Sequence, residues 1–589
     1  MKKSPRNQLK LMSLDTEDDS KGVVKLIDFY DGENHHSFPV HKNTTPEQQQ
    51  NLAVNFLLDL GTNLDIWCTN LQYDLINTFG QDLSCLEISY VGSRIISARL
   101  PNTKVFFKDT LNHWKISVKE MGKRIGLEKL EDDLFDKKKI PTMDQLITRC
   151  HRDSEITYHF VSTMKAHYES FGAKLKATIG STALEFFNKN YYKHTNKRHI
   201  KTKDIEFMLK GYYGGRTEIF FNKPVEGNIQ YWDFNSKYPD VMHKNPYPVI
   251  GKDCYIKTKK PDLTRIGVMD VTVSCPLDLY LPYLPCRADN GSLLFPVGEF
   301  RGHWTYYEIN EAVKLGYKII KIHDCIEFTR GTFYPFKDFV WDMYSKRQAA
   351  EKVGDQLLKD AFKLVPNNLY GKYGQGRDFT QLVPYVGPEQ LKAGDAVLGD
   401  MVLLKSRHKH FPVHTNMIWA MMTTAYARHD LYNGMRDVLK AGGLLIYCDT
   451  DSIIFESNMA IFKNSNELGH LKSEGDFKYA WFKLPKLYHL IKADNTHIYK
   501  AKGIPYRDNK GEQYFNLGSA TFERPYKLRE CLRRNLSPKR KIKLIPNYWH
   551  EVTKFDKKTY DKRNVLKNGE TSPIIYQDYL KELLRKEII

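Results

Sequence analysis

The sequence of 589 residues has few cysteines, and none of the nine stands three positions from another in a C-x-x-C pair. Cys68, Cys85, Cys150, Cys254, Cys275, Cys286, Cys325, Cys448 and Cys531 are scattered, which argues against a disulfide framework and a structural zinc site and fits a reducing compartment. No run approaches the ~18 apolar residues that span a bilayer. The N-terminus Met-Lys-Lys-Ser-Pro-Arg is basic but has no apolar segment of a secretory signal, so neither membrane nor export is expected. Internal repeats and long low-complexity tracts are missing as well. Acidic residues are in deficit: 70 Asp and Glu stand against 89 Lys and Arg, a formal net charge of +19. That excess points to a polyanionic partner, and with the membrane set aside the partner is nucleic acid. Surface lysines that serve only solubility give the same count.

Hydrophobic residues make up 41% of the chain, enough for packed cores, and the length requires several domains. Strand-like and helix-like segments are mixed throughout, so the expected class is α+β, multidomain. Residues 11 to 30 read as two strands and 45 to 60 as a helix ending before Gly61. Residues 155 to 190 are helical in pattern and 250 to 300 are strand-rich. Phe336 to Leu364 reads as one long charged helix stopped by Pro366. Residues 374 to 415 look irregular, and the last 85 or so are basic and aromatic, with Lys539, Arg540, Lys541, Lys543, Tyr548 and Trp549.

Three segments carry chemistry. In Tyr447-Cys448-Asp449-Thr450-Asp451-Ser452, apolar triplets on both sides suggest a hairpin with two carboxylates at its tip. Two like charges so close call for a cation between them, and hard oxygens suit magnesium. An ordinary Asx turn also fits the hexapeptide. Asp233, in Asp233-Phe-Asn-Ser236-Lys237-Tyr238-Pro239, ends a strand whose following turn enters a helix, where backbone N–H groups can hold a triphosphate. Lys359 and Lys363 are one helical turn apart and Arg347 lies sixteen residues before Lys363, so the three are expected on one basic face. That face ends in Asn367, Asn368 and Tyr370, which suits phosphates followed by a base and sugar, although a basic face is more often simply solvated.

Near the N-terminus, Asp15 and Glu17 project the same way from an extended chain and can share one metal. Asp74 begins a helix and Asp153 lies inside another; with them, four acids suffice for two-metal hydrolysis of a phosphodiester. Taken alone, D-x-E is a common coincidence. Between the two acidic clusters, Tyr212-Tyr213-Gly214-Gly215-Arg216 offers stacking faces and a backbone that a DNA strand can approach; it also fits a tight turn.

In order, the three segments resemble motifs A, B and C of the family B DNA polymerases: D-x-x-S-x-Y-P from Asp233, K-x-x-x-N-x-x-Y-G from Lys363 and Y-x-D-T-D-S from Tyr447. The resemblance implies a DNA-directed DNA polymerase that adds dNTPs to a primer 3′-hydroxyl, with Mg2+ or Mn2+, two ions per active site. It makes Asp233 and Asp451 the main metal ligands with Asp449 close by, sets Lys363 and Arg347 on the triphosphate, makes Tyr238 the gate against ribonucleotides and stacks Tyr370 near the nascent base pair. Asp15, Glu17, Asp74 and Asp153 resemble the metal-binding acids of the 3′-5′ proofreading exonuclease, Asn70 a residue on the primer end, and Thr110 and Leu111 an element that binds single-stranded DNA. Tyr212 to Gly215 resembles the Y-x-G-G link between the domains, with Arg216 beside it, and Lys486-Leu-Tyr488 the K-x-Y motif that holds the primer.

Three positions depart from the family pattern. Lys237 stands where an apolar residue is usual, Asn368 where Ser is common, and Arg149 where a Tyr orients the attacking water, so a slow exonuclease is expected; Tyr158 is a substitute out of register.

The implied fold is an RNase H-like exonuclease domain followed by a right-hand polymerase. The implied boundaries are 1–175 exonuclease, 176–249 linker and first palm, 250–330 palm with a first insertion, 331–373 fingers, 374–410 a second, hairpin-like insertion, 411–503 palm and 504–589 thumb. Two insertions and a short thumb resemble the protein-primed phage and linear-plasmid subgroup. That implies a terminal protein as primer and strand displacement by a monomer acting in the cytoplasm of a host cell or in an organelle. The alternatives are a conventionally primed family B polymerase, a nuclease whose second half only holds DNA, and an inactive DNA-binding scaffold.

Overall fold

The computed structural model describes residues 9–19, 22–60, 63–130, 142–192, 199–398, 400–505, 509–525, 527–528, 549–555 and 559–587. The basic run Lys539 to Lys543, Tyr548 and Cys531 lie outside them.

Three parallel strands form the centre of the N-terminal sheet: Lys10–Asp18, Leu64–Cys68 and Val105–Asp109. Their burial on both faces matches their apolar content, with Ile66, Trp67 and Phe107 fully enclosed. Val24–Tyr30 and His35–Pro39 extend the sheet on one side, Arg94–Arg99 and Glu87–Val91 on the other. The long helix Met143–Ser170, opened by a capping box at Thr142, lies across the sheet and presents Asp153 to the end of Lys10–Asp18. Ligands of such sheets collect beyond the carboxyl ends of the parallel strands, which is where Asp15, Glu17, Asn70 and Thr110 stand.

Residues 374–410 are not irregular. Asp378–Pro384 pairs antiparallel with Glu87–Val91, setting Leu382 opposite Ile88, and Ala396–Leu398 and Met401–Arg407 follow, giving a ten-stranded sheet. Leu382, Leu398, Met401 and Leu403 join the N-terminal core. The segment reads as irregular because only Leu382 of the first strand is buried, so the strand shows no alternation.

The expected single helix from Phe336 to Leu364 is two. Lys337–Lys352 ends at Gly354, whose φ of +75° suits only glycine well, and Gln356–Tyr373 begins after the Asp355 cap and folds back on it. Pro366 sits inside the second helix rather than stopping it.

A second, antiparallel sheet of seven strands runs in the order His497–Ala501, Leu487–Lys492, Leu471–Leu484, Val225–Phe234, Ser452–Glu456, Leu444–Asp449, Thr217–Ile219. Helix Met417–Lys440 packs on it and is buried around almost its whole circumference over its first three turns, as its Trp, Met, Ala and Thr content requires. A four-stranded sheet holds the strand-rich stretch, ordered Tyr255–Thr258, Lys318–Phe328, Ile266–Cys275, Gly298–Thr305. Among the described residues no helix is long and apolar enough to cross a membrane.

Candidate active sites

Asp233 and Asp451 meet at the centre of the seven-stranded sheet. Val225–Phe234 pairs with Ser452–Glu456 in a register that sets Asp233 opposite Ser452, and the Phe234 N–H donates to the Asp451 carbonyl at 2.8 Å. Burial, then repulsion from Asp451 and Glu474, pushes the Asp233 carboxyl up to about 7, against the pull of Lys237 and Lys363. Burial and Asp449 raise Asp451 likewise. Two half-buried carboxylates that disfavour each other's charge, built of hard oxygens, fit a divalent cation.

Asp449 is turned elsewhere. It accepts from Lys486 Nζ at 2.7 Å, Thr217 Oγ1 at 3.1 Å and the Tyr447 hydroxyl at 3.2 Å. Lys486 of the K-x-Y segment is thus tied to the acidic hairpin, while Tyr488 packs on Phe482 and Tyr447.

The hairpin tip is locked from the linker. Thr450, at φ +61°, donates its N–H to the Arg216 carbonyl at 2.7 Å, and a Cβ on Gly215 would stand 2.7 Å from the Thr450 methyl, so the close approach requires glycine. Arg216 itself is 1% exposed, paired with Glu218 and donating to the Pro282 carbonyl. The expectation that it contacts DNA is corrected: its charge is spent inside the protein. The residue that holds the Tyr212-to-Gly215 segment was not evident in the sequence. Buried Arg428 donates to the Tyr213 and Gly214 carbonyls at 2.6 and 2.9 Å and pairs with buried Glu308 at 2.6 Å. Arg428→Met leaves that carboxylate buried without its partner, at a cost of about 3–5 kcal/mol. A clear fall in melting temperature is expected, and an unchanged melt contradicts this account of the segment.

Tyr238 and Tyr370 stack at 4.3 Å and 18°. Arg347, Lys363, Asn367 and Ser236 line one small pocket beside them, and Arg347 reaches Ser236 Oγ at 3.4 Å. Arg347 and Lys363 converge because two helices fold together, not because they share one helical face. Lys359 does not join them; it pairs with Glu351 at 2.6 Å. Asn367 and Asn368 turn their amides to the Lys363 and Leu364 carbonyls, one turn back in the helix that contains Pro366.

Between the N-terminal sheet and the helix Met143–Ser170, Asp15, Glu17 and Asp153 bring carboxylate oxygens within 4.8 Å of one another, a spacing that fits a shared ion. Burial and repulsion from Asp153, Asp74 and Glu17 raise Asp15; burial raises Asp74; burial pushes Glu17 up to about 7. Asp74 is held by the Thr16 hydroxyl at 2.9 Å, which in turn accepts from Asn77.

Arg149 pairs with Glu17 at 3.0 Å and Lys129 with Asp153, so two cations stand among these acids. Tyr158 is not near them: its ring packs on Tyr30, beside Asp31. The tyrosine at the acids is Tyr73, bonded to Asp18 beside Glu17. Asp109 organises the far lip, accepting the N–H groups of Asn70, Leu71 and Leu111, while Thr110 meets Thr69 at 2.9 Å. Asn70 takes φ +74°, a conformation asparagine tolerates. A lone Asp after an apolar strand was the signal for Asp109.

The family described as "DNA polymerase type B, organellar and viral" matches residues 101–424. A "Probable DNA polymerase" of Neurospora intermedia is 26% identical over 439 residues, covering 69% of this chain and 42% of that protein. The "DNA-directed DNA polymerase" of Enterobacteria phage PRD1 is 26% identical over 416 residues, 67% of this chain and 68% of its own. The chain thus spans less than half the length of the fungal relative. Phi29 DNA polymerase solved with primer-template DNA and incoming nucleotide superposes with a TM-score of 0.69 at 17% identity, over 93% of this chain and 100% of that one.

Proposed function

The chain belongs to the organellar and viral type B DNA polymerases, and from that premise we propose that it extends a DNA primer on a DNA template and trims the primer end with a 3′-5′ exonuclease. Its fold is the two-part fold of that group, an exonuclease-type domain followed by a right-hand polymerase. The observation that carries the reading is the approach of Asp233, near the end of its strand, to Asp451, in the turn just before the neighbouring strand, each raised by burial and by a neighbouring carboxylate.

Asp233 and Asp451 would hold two divalent cations, which when bound lower the pKa of the primer hydroxyl and offset charge on the leaving pyrophosphate. The protein's own groups do the rest. Lys363 and Arg347, lining the pocket beside Ser236, neutralise and orient the triphosphate. Lys486 fixes the acidic hairpin through Asp449 and sets the primer strand against it. Tyr238, braced by Tyr370, fills the space that a ribose 2′-hydroxyl needs. Tyr238→Val is therefore expected to raise ribonucleotide incorporation by about 10- to 100-fold, since a filled apolar space discriminates by about one to three kcal/mol. Single-nucleotide insertion kinetics with matched rNTP and dNTP check this; unchanged discrimination removes Tyr238 as the gate.

At the other end, Asp15, Glu17, Asp74 and Asp153 serve hydrolysis of the primer's last phosphodiester, with Asn70, Thr110 and Leu111 along the strand's path. Arg149 and Lys129 compete for the same carboxylates, which makes a slow exonuclease the expected behaviour.

Priming by a terminal protein is part of the proposal. Its support is the position of the two inserted regions, 250–330 and 374–410, the second of which adds three strands to the edge of the N-terminal sheet. Extension of a primed single-stranded circle with magnesium and no accessory protein tests the branch. Products longer than one circuit are expected from strand displacement; arrest at the first duplex favours a conventionally primed enzyme.

A further inference from the structure

Lys237 opens the helix Lys237–Lys244, directly after the strand that ends in Asp233. A cation is unfavourable at a helix N-terminus, and lysine is almost never fully buried unless paired. Lys237 is nevertheless 2% exposed, and its Nζ has no hydrogen-bond partner among the described residues. The ammonium rests 3.6 Å from the centre of the Phe234 ring, and the carboxylates that act on it are Asp430, Asp451 and Asp233. Asp430 is already paired with Lys244 at 2.8 Å. Lys237 is, in turn, the leading favourable charge on both Asp451 and Asp233. Such placement is costly for a charge that is neither paired nor hydrogen-bonded.

We propose that Lys237 is a positioning residue: a built-in positive charge, seated on the Phe234 ring next to Asp233, that keeps Asp233 and Asp451 gathered before metal arrives and so sets how much divalent cation the polymerase site demands. The site is then less repulsive when empty than a pair of bare carboxylates, and an entering dication gains less from it. The inference rests on the reading of Asp233 and Asp451 as metal holders.

The test is calorimetric titration of Mn2+ into the full chain carrying Asp15→Ala and Glu17→Ala, bound to primer-template with a dideoxy-terminated primer and the next dNTP. Adding Lys237→Met should tighten Mn2+ binding by about tenfold, the effect of one charge on a dication several ångströms away in a half-wet site. The midpoint of the Mg2+ dependence of extension should shift in parallel in otherwise unmodified protein, with little change in the saturated rate. Lys237→Arg keeps the charge and should keep the parent's affinity. If Lys237→Met does not fold, as judged by its melt, Lys237→Gln carries the same expectation. Equal Mn2+ affinity in parent and neutral variant, or equal tightening in Lys237→Arg, overturns the role of Lys237. A parent that binds no Mn2+ in this background overturns instead the reading of the acids.

Discussion

Asp451→Asn should reduce primer extension by at least ~1,000-fold while leaving degradation of single-stranded DNA intact. The carboxylate's charge is worth several kcal/mol to a reaction that depends on a bound dication, and each ~1.4 kcal/mol is a factor of ten in rate. Asparagine keeps the shape, so the loss reads the charge alone. The same change has a second signature. Asp233 owes part of its raised pKa to Asp451, so removing that charge relieves repulsion and the metal-free variant should melt no lower than the parent.

The pH dependence has a fixed sign. A carboxyl raised to about 7 in the folded state binds its proton more tightly than in the unfolded chain. The metal-free parent therefore loses stability as pH rises from the ordinary carboxylate range through 7, and Asp451→Asn should flatten that slope. Surviving extension in Asp451→Asn, measured by primer elongation on a gel, would mean the acids are misassigned.

The second large effect is the converse. Asp15→Ala combined with Glu17→Ala should lower release of nucleotides from single-stranded DNA by ~1,000-fold or more, for the same reason of lost charge at a metal-dependent hydrolysis, and leave synthesis near the parent level. The separation is structural: these acids lie in the ten-stranded sheet, Asp233 and Asp451 in the seven-stranded one. End-labelled single strands and a primed template measure both activities in one preparation. A matching fall in synthesis would contradict the independence of the two sites. The double variant also frees Arg149 from Glu17, so a modest change in stability is expected beside the loss of activity.

The acidic hairpin was legible because two apolar triplets bracket an acidic turn, a pattern fixed by local chemistry. The Asp15–Glu17 pair was legible for a similar reason, the two-residue period of an extended chain. What escaped was long-range. Leu382 meets Ile88 from a distant part of the chain, and one buried residue in a strand leaves no periodicity to read. The stretch from Phe336 reads as one helix that Pro366 stops, whereas the chain breaks at Gly354 and tolerates the proline.

Arg216 beside two glycines looks like a DNA contact. The signal against that was Glu218, two residues on along a strand and on the same side. Nothing in the sequence joins Arg428 to Glu308. The domain boundaries drawn from the resemblance remain part of the proposal, with the 374–410 insertion now seen to share the N-terminal core.

Anomalous diffraction from a crystal soaked in Mn2+, with primer-template and a non-hydrolysable dNTP in place, addresses the shared ion without recourse to activity. Peaks within coordination distance, roughly 2.0–2.3 Å, of carboxylate oxygens from both Asp233 and Asp451 are expected. Manganese bound to only one of the two, or to neither, would contradict the account.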